Sequence, residues 1–575
     1  MKLSNRHYGD YSDKELKSMS TDQLIAIIME VQNDDNFIIM SDSYKMTHHL
    51  LYPDFLRRVS SYMEPRGGDM PYTVFSMLQY YIKRYIAGRR ITPEKIEDAR
   101  QANIAHFGFD CFDSTMWDYI CKKHDGNLPL KINAIPEGTP IAVKNVIMTI
   151  ENTDFEHCAP LTNITETLLM KLWATNTVAA YNRIIKELII RYHAITSDAP
   201  AFLIDYMHHD FGYRGTSSEE TARLMSAAAM ISFKGTDTMG GLSFIKKYYH
   251  LPGTSWMEAM AGYSVIASEH SVMCAYGGRG KEEEAYLKII KKIKNNKKIL
   301  NAKPASGVII VSLVSDTYNI FNVPFILKRI ENEFIGWTNN HGIPIKIVIR
   351  PDSGDAKEVL FGKDGNTSKE AAQKRIALSF KVAKDMGIEQ EKALELVEKG
   401  LFRILFDLFG YTTNSKGYKV LHPQIGVLQG DGVSYKVIDE IYQIMIKPEV
   451  KIDIMCLVFG SGGKNLQAHD RDEQKYAIKA TSVTIEETKI AIEKNPITDE
   501  GKKSKKGELK LVRKQITDDI SKDWMNFVTL QEGDEGYEEA VSLLDTVFLN
   551  GKLIKEFDYN ELRANSEIKT LQLVA

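Results

Sequence analysis

Between residues 200 and 465 short apolar runs recur along the chain, and each stops in a loop carrying glycine or charged residues. In order they are AFLIDYMHHDFGYRG, AMISFKGTDTMGG, GYSVIASEHS, GVIIVSLVSDTYN, IKIVIRPDSGD, IGVLQGDGVS and IMCLVFGSGGK, with helical or mixed stretches between them. Apolar strands that end in polar, glycine-rich loops are the pattern of a β/α barrel, whose working face gathers at the C-terminal ends of its strands. The seven units predict an irregular β/α barrel over residues 200–479.

Outside this region the pattern differs. From Phe37 to Asp154 β-like pieces (RVSSYMEP, LKINAIPEGTPIAVKNVIMTIENTD) alternate with helical ones (SMLQYYIKRYIAG, PEKIEDARQANIAHF), and hairpin-like patterns return after residue 480, with Asn550-Gly551 as a turn in DTVFLNGKLIKEF. The expected organisation is α/β: the barrel plus a discontinuous α+β domain built from N- and C-terminal segments, residues 37–199 and 480–575. Residues 1–36 read as an extension, in which Ser20 and Gln23 stand in capping-box spacing before a short docking helix. KKIKNNKK and the stretch FGKDGNTSKEAAQKR after Phe361 interrupt the barrel pattern and are expected on solvated surface.

Composition narrows the function classes. Lys plus Arg number 73 against 76 Asp plus Glu, so no overall field attracts nucleic acid or anionic membrane, and an anion site must be local. The basic run KKSKKGELKLVRK lacks an aromatic stacking platform and reads as a solvated hairpin or a lysine arm for an anion. Five scattered cysteines without a CxxC pair fit a reducing cytosol, and neither a signal peptide nor a long apolar span is expected. His48-His49 and His208-His209 raise metal hydrolysis, but no HExxH occurs and adjacent strand residues face opposite ways, so no zinc site is expected.

The strand ends carry the candidate chemistry. GDG (Gly430, Asp431) and GSGGK (Gly462, Gly463) follow the last two strands, where a barrel usually binds phosphate through inward backbone N–H groups; either loop alone is equally a plain turn. RPDSGD sets Arg350 beside Asp352, a fork for phosphate next to a carboxylate for a ribose hydroxyl or Mg²⁺, or else an internal ion pair. HDFGYRG adds Phe211 and Arg214, and Asp237, Asp316 and Asp431 are carboxylates that would repel one another unless cations or ligand hydroxyls share the space. His270 follows a glutamate just past a β-like run, where a histidine is more often structural than catalytic.

Taken in order, SDSYKMTH, HDFGYRG, FKGTDT, GYSV with EHS, VSDTYN, IRPDSG, QGDGV, FGSGG and KSKKG resemble the nicotinamide phosphoribosyltransferase family of type II phosphoribosyltransferases. The resemblance implies a cytoplasmic homodimer that joins nicotinamide to 5-phosphoribosyl 1-pyrophosphate, with active sites at the dimer interface and with ATP and Mg²⁺ taking part. It implies that Phe211 and Tyr44 of the partner subunit sandwich the nicotinamide ring and that Asp237 accepts the carboxamide N–H. Ser264, Val265, Ala267 and Ser312 would line the base pocket, and Arg214, Arg350, Asp352, Gly430, Asp431, Gly462 and Gly463 would hold ribose and phosphates. Arg471, Lys479 and Lys502 would add positive charge. His270 matches the histidine that ATP phosphorylates, and Asp316 the carboxylate that orients it. Lys464 and Asn465 depart from the small or apolar residues expected after FGSGG, HLPGTSWMEAMA is longer than the family pattern, and residues 1–36 have no counterpart. Two alternatives stand beside this reading: a nicotinate phosphoribosyltransferase of related fold, and a silent binding protein, against which intact His270, Asp316, Arg350 and Asp352 argue.

Overall fold

The computed structural model describes residues 18–20 and 35–569, so the helix expected from STDQLIAIIMEVQ lies, apart from Ser20, outside the described residues. The chain divides into two compact units: residues up to Asn176 with Arg471–Asn565, and Thr177–Asp470 with Ser566–Ile568. These divisions differ from the expected 200 and 480. From Thr177 onward the helix Leu172–Thr196 belongs with the second unit, where Arg191 and Tyr192 both bond Asp439, and periodicity alone does not reveal which core a helix joins.

The first unit is built on a seven-stranded antiparallel sheet in the order 488–491, 477–485, 56–64, 148–152, 130–134, 545–549, 552–553. N- and C-terminal segments therefore share one sheet, and Leu56–Glu64 pairs with Ala477–Ile485 on one side and Met148–Asn152 on the other. Leu130, Ile132 and Ala134 are buried in alternation, as in a strand with one covered face. The Asn550-Gly551 turn forms with φ of 48° and 83°, the left-handed pair that a two-residue hairpin needs.

The second unit contains all seven predicted strands: β1 His208–Asp210, β2 Gly235–Thr236, β3 Ile266–Ala267, β4 Ile309–Val314, β5 Ile345–Arg350, β6 Ile425–Gln429 and β7 Leu457–Ser461. Every neighbouring pair is parallel, and the order is β2-β1-β7-β6-β5-β4-β3. The edges meet through Tyr263, just ahead of β3, whose N–H bonds the Lys234 carbonyl at 2.7 Å while its own carbonyl accepts from Thr236 N–H at 3.0 Å. The sheet thus closes into a ring in chain order, an irregular β/α barrel.

The stretch after Phe361 departs from the expectation of plain solvated surface. Residues 362–400 leave and re-enter the unit at one point, because a Cβ on Gly400 would lie 2.3 Å from the Gly362 nitrogen and one on Gly362 would lie 2.1 Å from the Glu398 carbonyl oxygen. Between these glycines the chain forms a helical hairpin, Lys369–Met386 and the first part of Gln390–Phe409, which is interrupted at Gly400 (φ 70°). Arg375, within this stretch, is buried and donates to the Asn366 carbonyl at 2.8 Å. Phe361 and Phe402 stack across the neck, with ring centroids 5.6 Å apart. KKIKNNKK, by contrast, is largely exposed. Among the described residues no helix is long and apolar enough to cross a membrane.

His208 is fully enclosed in β1, its Nε2 meets Ser461 Oγ at 2.7 Å, and burial, helped by neighbouring His209, drives its pKa from 6.5 down to about 3. The unfolded chain takes up a proton here below about pH 6.5 and the folded chain does not until near 3, so stability present above 6.5 is lost as pH falls through that window. His208→Gln should flatten this acid-side loss, read as a smaller difference between urea midpoints at neutral and mildly acid pH.

Candidate active site

The parallel ring sends every β-to-α loop to one end of the barrel. Asp210 closes β1: buried, it accepts from Gly212 N–H at 2.8 Å and from the Ser226 and Thr236 hydroxyls at 2.6 and 3.2 Å, while burial pushes its pKa up. This fixes the turn from which Phe211 emerges, its N–H on the Ser461 carbonyl at 2.8 Å. The Phe211 ring presses on Gly460 of β7, where a Cβ would lie 2.0 Å from it. Arg214 is exposed on the turn Tyr213–Gly215, and that turn abuts the glycine loop, since a Cβ on Gly215 would meet the Gly463 Cα at 2.7 Å. Gly462 precedes the short helix Gly463–Leu466. Asn465 faces inward, buried, with its side-chain oxygen accepting from Asn182 at 2.9 Å, and Lys464 is exposed, so the two unexpected residues divide between core and loop.

On the next strands Asp237 places an exposed carboxylate within reach of the Ser264 hydroxyl, which donates to it, and holds its own N–H on the Asp210 carbonyl at 2.9 Å. Val265 leads into β3, where Ala267 pairs in register with Ser312 of β4. The Ser312 hydroxyl is buried and unpartnered.

His270 opens the short helix His270–Cys274 and is half exposed. Its Nδ1 lies 3.1 Å from Thr317 Oγ1 and its Nε2 4.0 Å from Asp316 Oδ1, an approach rather than a hydrogen bond. Asp316 uses Oδ2 to accept the Asp352 N–H at 3.0 Å and leaves Oδ1 buried without a partner. Arg350 donates to the Ser268 carbonyl at 2.7 Å instead of pairing with Asp352, and its Nε is buried and unused. Gly430 permits Asp352 to stand close, because a Cβ there would be 2.7 Å from its Oδ1. Asp431 is exposed, and its carbonyl accepts from Gln429 at 3.0 Å. Unused donors on Arg350 and unused acceptors on Asp316 and Ser312 form a polar rim suited to a ligand that both donates and accepts hydrogen bonds.

Tyr44, Arg471, Lys479 and Lys502 belong to the first unit. Tyr44 is exposed on the 3₁₀ segment Ser43–Leu50, Arg471 lies 3.6 Å from Asp472, and Lys502 pairs with Asp499 at 3.1 Å. Lys479 sits in the strand Ala477–Ile485, and its pKa is lowered by burial and by Arg66, Lys494 and Lys45, against the opposing pull of Glu166. Sequence reasoning missed Arg66 and Lys494. Arg66 keeps Nη2 buried and unpartnered although Nε bonds Glu64 at 2.8 Å, and in Lys494 the backbone N–H donates to the hydroxyl of Ser504 in the basic run while the carbonyl accepts from the Ser504 N–H. Cations crowded this way call for an anion. The only hint in the sequence was Arg66 standing before the glycine pair in MEPRGG.

His124, Asp154 and Cys158 also converge in the first unit, but Asp154 there accepts from Tyr119 at 3.1 Å and lies 3.6 Å from the Lys123 ammonium. His208 and His209 are buried in β1, the former bonded to Ser461.

A model of the nicotinate phosphoribosyltransferase (NAPRTase) family matches residues 206–552, and a model of the nicotinamide phosphoribosyltransferase N-terminal domain matches residues 36–132. Among curated relatives, a nicotinamide phosphoribosyltransferase of Xanthomonas campestris pv. campestris is 33% identical over 540 residues, covering 93% of this chain and 99% of the relative. Another of that name, from Acinetobacter baylyi, is 29% identical over 541 residues, 91% of this chain and 95% of the relative. The solved nicotinate-nucleotide pyrophosphorylase from Pyrococcus furiosus, 13% identical, covers 93% of this chain and 95% of that chain with a TM-score of 0.48.

The contact between Phe211 and Gly460 yields a direct test. Gly460→Ala drives a methyl group into the ring and should lower unfolding free energy by about 1–3 kcal/mol, measured by urea denaturation.

Proposed function

Because this chain belongs to the nicotinate phosphoribosyltransferase family, a family of phosphoribosyl-transferring enzymes, we propose that its own acceptor is nicotinamide and its product nicotinamide mononucleotide, for NAD salvage. The observation that carries the choice of base is the Asp237–Ser264 pair beside the Phe211 platform. A carboxamide N–H can donate to the Asp237 carboxylate, whereas the carboxylate of nicotinate would be repelled. Matches to curated relatives named for nicotinamide support the same reading.

In the transfer, the ring nitrogen of nicotinamide attacks the anomeric carbon of 5-phosphoribosyl 1-pyrophosphate, the carbon–oxygen bond to pyrophosphate breaks, and positive charge builds on the ribose. No side chain needs to exchange a proton, so positioning and electrostatics dominate. Phe211 holds the ring, Arg350 and Arg214 bind ribose and phosphate oxygens, and the Gly430–Asp431 and Gly462–Gly463 loops allow backbone approach. Asp316 and Asp352 offer the hard oxygen donors that suit Mg²⁺, which when bound neutralises charge on the departing pyrophosphate.

ATP acts through His270. With Asp316 toward Nε2–H, the Nδ1 lone pair, once the Thr317 hydroxyl turns away from it, attacks the γ-phosphorus, the bond to the bridging oxygen breaks, and ADP leaves. The homodimer reading brings Tyr44, Arg471, Lys479 and Lys502 of the partner subunit to the barrel rim. It is supported by strongly exposed apolar side chains in each unit, Tyr44, Leu51 and Phe55 in the first and Met239, Leu251 and Met257 in the second. Five free cysteines support a reducing, cytoplasmic setting.

Purified protein given nicotinamide, phosphoribosyl pyrophosphate and Mg²⁺ should form nicotinamide mononucleotide, and in competition should favour nicotinamide over nicotinate; absence of product with nicotinamide overturns the reading. Asp237→Asn should narrow that preference by roughly 10- to 100-fold, the worth of one charged hydrogen bond, as ratios of kcat/KM. His270→Ala should abolish the gain in rate on adding ATP while retaining ATP-free turnover.

A further inference from the structure

The helical hairpin hung from the Gly362·Gly400 neck returns to the barrel rim through one carboxylate. Asp385, in the last turn of Lys369–Met386, accepts from Arg279 through Oδ1 and from the Asn319 side chain through Oδ2 at 2.9 Å. Arg279 lies in the segment that follows the helix His270–Cys274, and Asn319 lies in the loop after β4 that also carries Asp316 and Thr317. One side chain from the insertion thus grips both loops whose meeting defines the His270 site.

Those loops touch each other lightly. His270 Nδ1 meets Thr317 Oγ1 at 3.1 Å, the Tyr318 hydroxyl lies 3.6 Å from Cys274 Sγ, and the Arg279 guanidinium covers the Tyr318 ring at 5.1 Å from its centroid. Most of these groups are solvent-exposed, which makes each contact weak alone. Asn319 is the firm point: it is buried, and its side-chain oxygen accepts from Phe321 N–H at 3.1 Å. Asp385 extends that anchorage across to Arg279. Ahead of His270 the segment is tied to the barrel by Ser268, whose hydroxyl accepts the Val314 N–H at 2.9 Å and whose carbonyl accepts from Arg350, but between His270 and Lys281 its polar ties to the loop after β4, apart from the one through Asp385, are exposed.

We propose that Asp385 is a positioning residue for His270: by bridging Arg279 and Asn319 it holds the imidazole in register with Asp316, so that phosphorylation of His270 depends on a carboxylate supplied by the inserted hairpin. The inference rests on the reading of His270 as the phosphate acceptor, and it assigns to residues 362–400 a part in ATP coupling.

The full-length protein and its Asp385→Ala, Asp385→Asn and Asp385→Glu variants would be compared in three readouts: transfer of label from γ-³²P-ATP to His270, steady-state turnover with and without ATP, and the NMR signal of the His270 ring, assigned by its loss in His270→Ala. For Asp385→Ala we expect labelling to slow at least tenfold, the ATP-dependent gain to fall with it, and the ring signal to move. ATP-free kcat and the KM for nicotinamide should stay within twofold of wild type. Asp385→Glu should recover labelling in part, and Asp385→Asn, which keeps the shape without the charge, should resemble alanine. Unchanged labelling with an unmoved ring signal overturns the proposal, as does a parallel loss of ATP-free turnover, which would mark general damage to the fold. If the wild type itself takes no label, the phosphohistidine reading fails; the bridge is then judged on the ring signal alone, which supports it by moving in Asp385→Ala and overturns it by staying in place.

Discussion

The two backbone hydrogen bonds at Tyr263 close the ring of parallel strands, and the arrangement of the site follows from that closure. An open sheet would leave the loops after β2 and β3 at opposite edges. Joined there, the sheet carries Phe211, Asp237, Ser264, His270, Asp316 and Arg350 around one rim, although they span a long stretch of chain. Tyr263 itself is followed at once by Ser264, so the residue that seals the barrel also delivers the hydroxyl that meets Asp237.

Around that rim, division of labour among the carboxylates replaces the mutual repulsion that their number would suggest. Asp210 is buried and satisfied by backbone and hydroxyl donors, which makes it a support for its loop. Asp237 faces outward, Asp352 is admitted by the missing side chain of Gly430, and Asp316 bonds the Asp352 backbone while keeping one oxygen uncommitted. Cations are likewise distributed: Arg350 and Arg214 belong to the second unit, while Arg66, Lys479 and Lys494 gather in the first.

Much of this was legible in the sequence, for a definite reason. Strands buried on both faces are largely apolar, so β4 to β7 were marked by their own runs, whereas the polar β1 (HHD) and the two-residue β2 and β3 were marked by the apolar stretches beside them, and polar residues ending each run marked the rim. Motif resemblance then pointed to His270 and Asp237. What periodicity did not carry was contact between distant backbones. The Gly362·Gly400 approach, the pairing of Tyr263 with Lys234 and Thr236, and the crowding of Arg66 and Lys494 against Lys479 all join residues whose local patterns are unremarked. Asn465 is instructive in the same way: it read as an anomaly in a phosphate loop, yet its amide turns inward to Asn182, a partner that no local pattern could name.

The neck at Gly362 and Gly400 has a consequence for how such a chain can change over time. Entry and exit are already in contact, so the barrel experiences whatever hangs between them as a closed loop of fixed span. Lengthening a loop whose ends are pinned adds only about 0.6 kcal/mol for each doubling of its length. The size of the appended segment is thus almost decoupled from barrel stability, and sequence can be inserted or trimmed there while the ring of strands keeps its geometry, the Asp385 bridge to Arg279 and Asn319 being what ties such change to the rim.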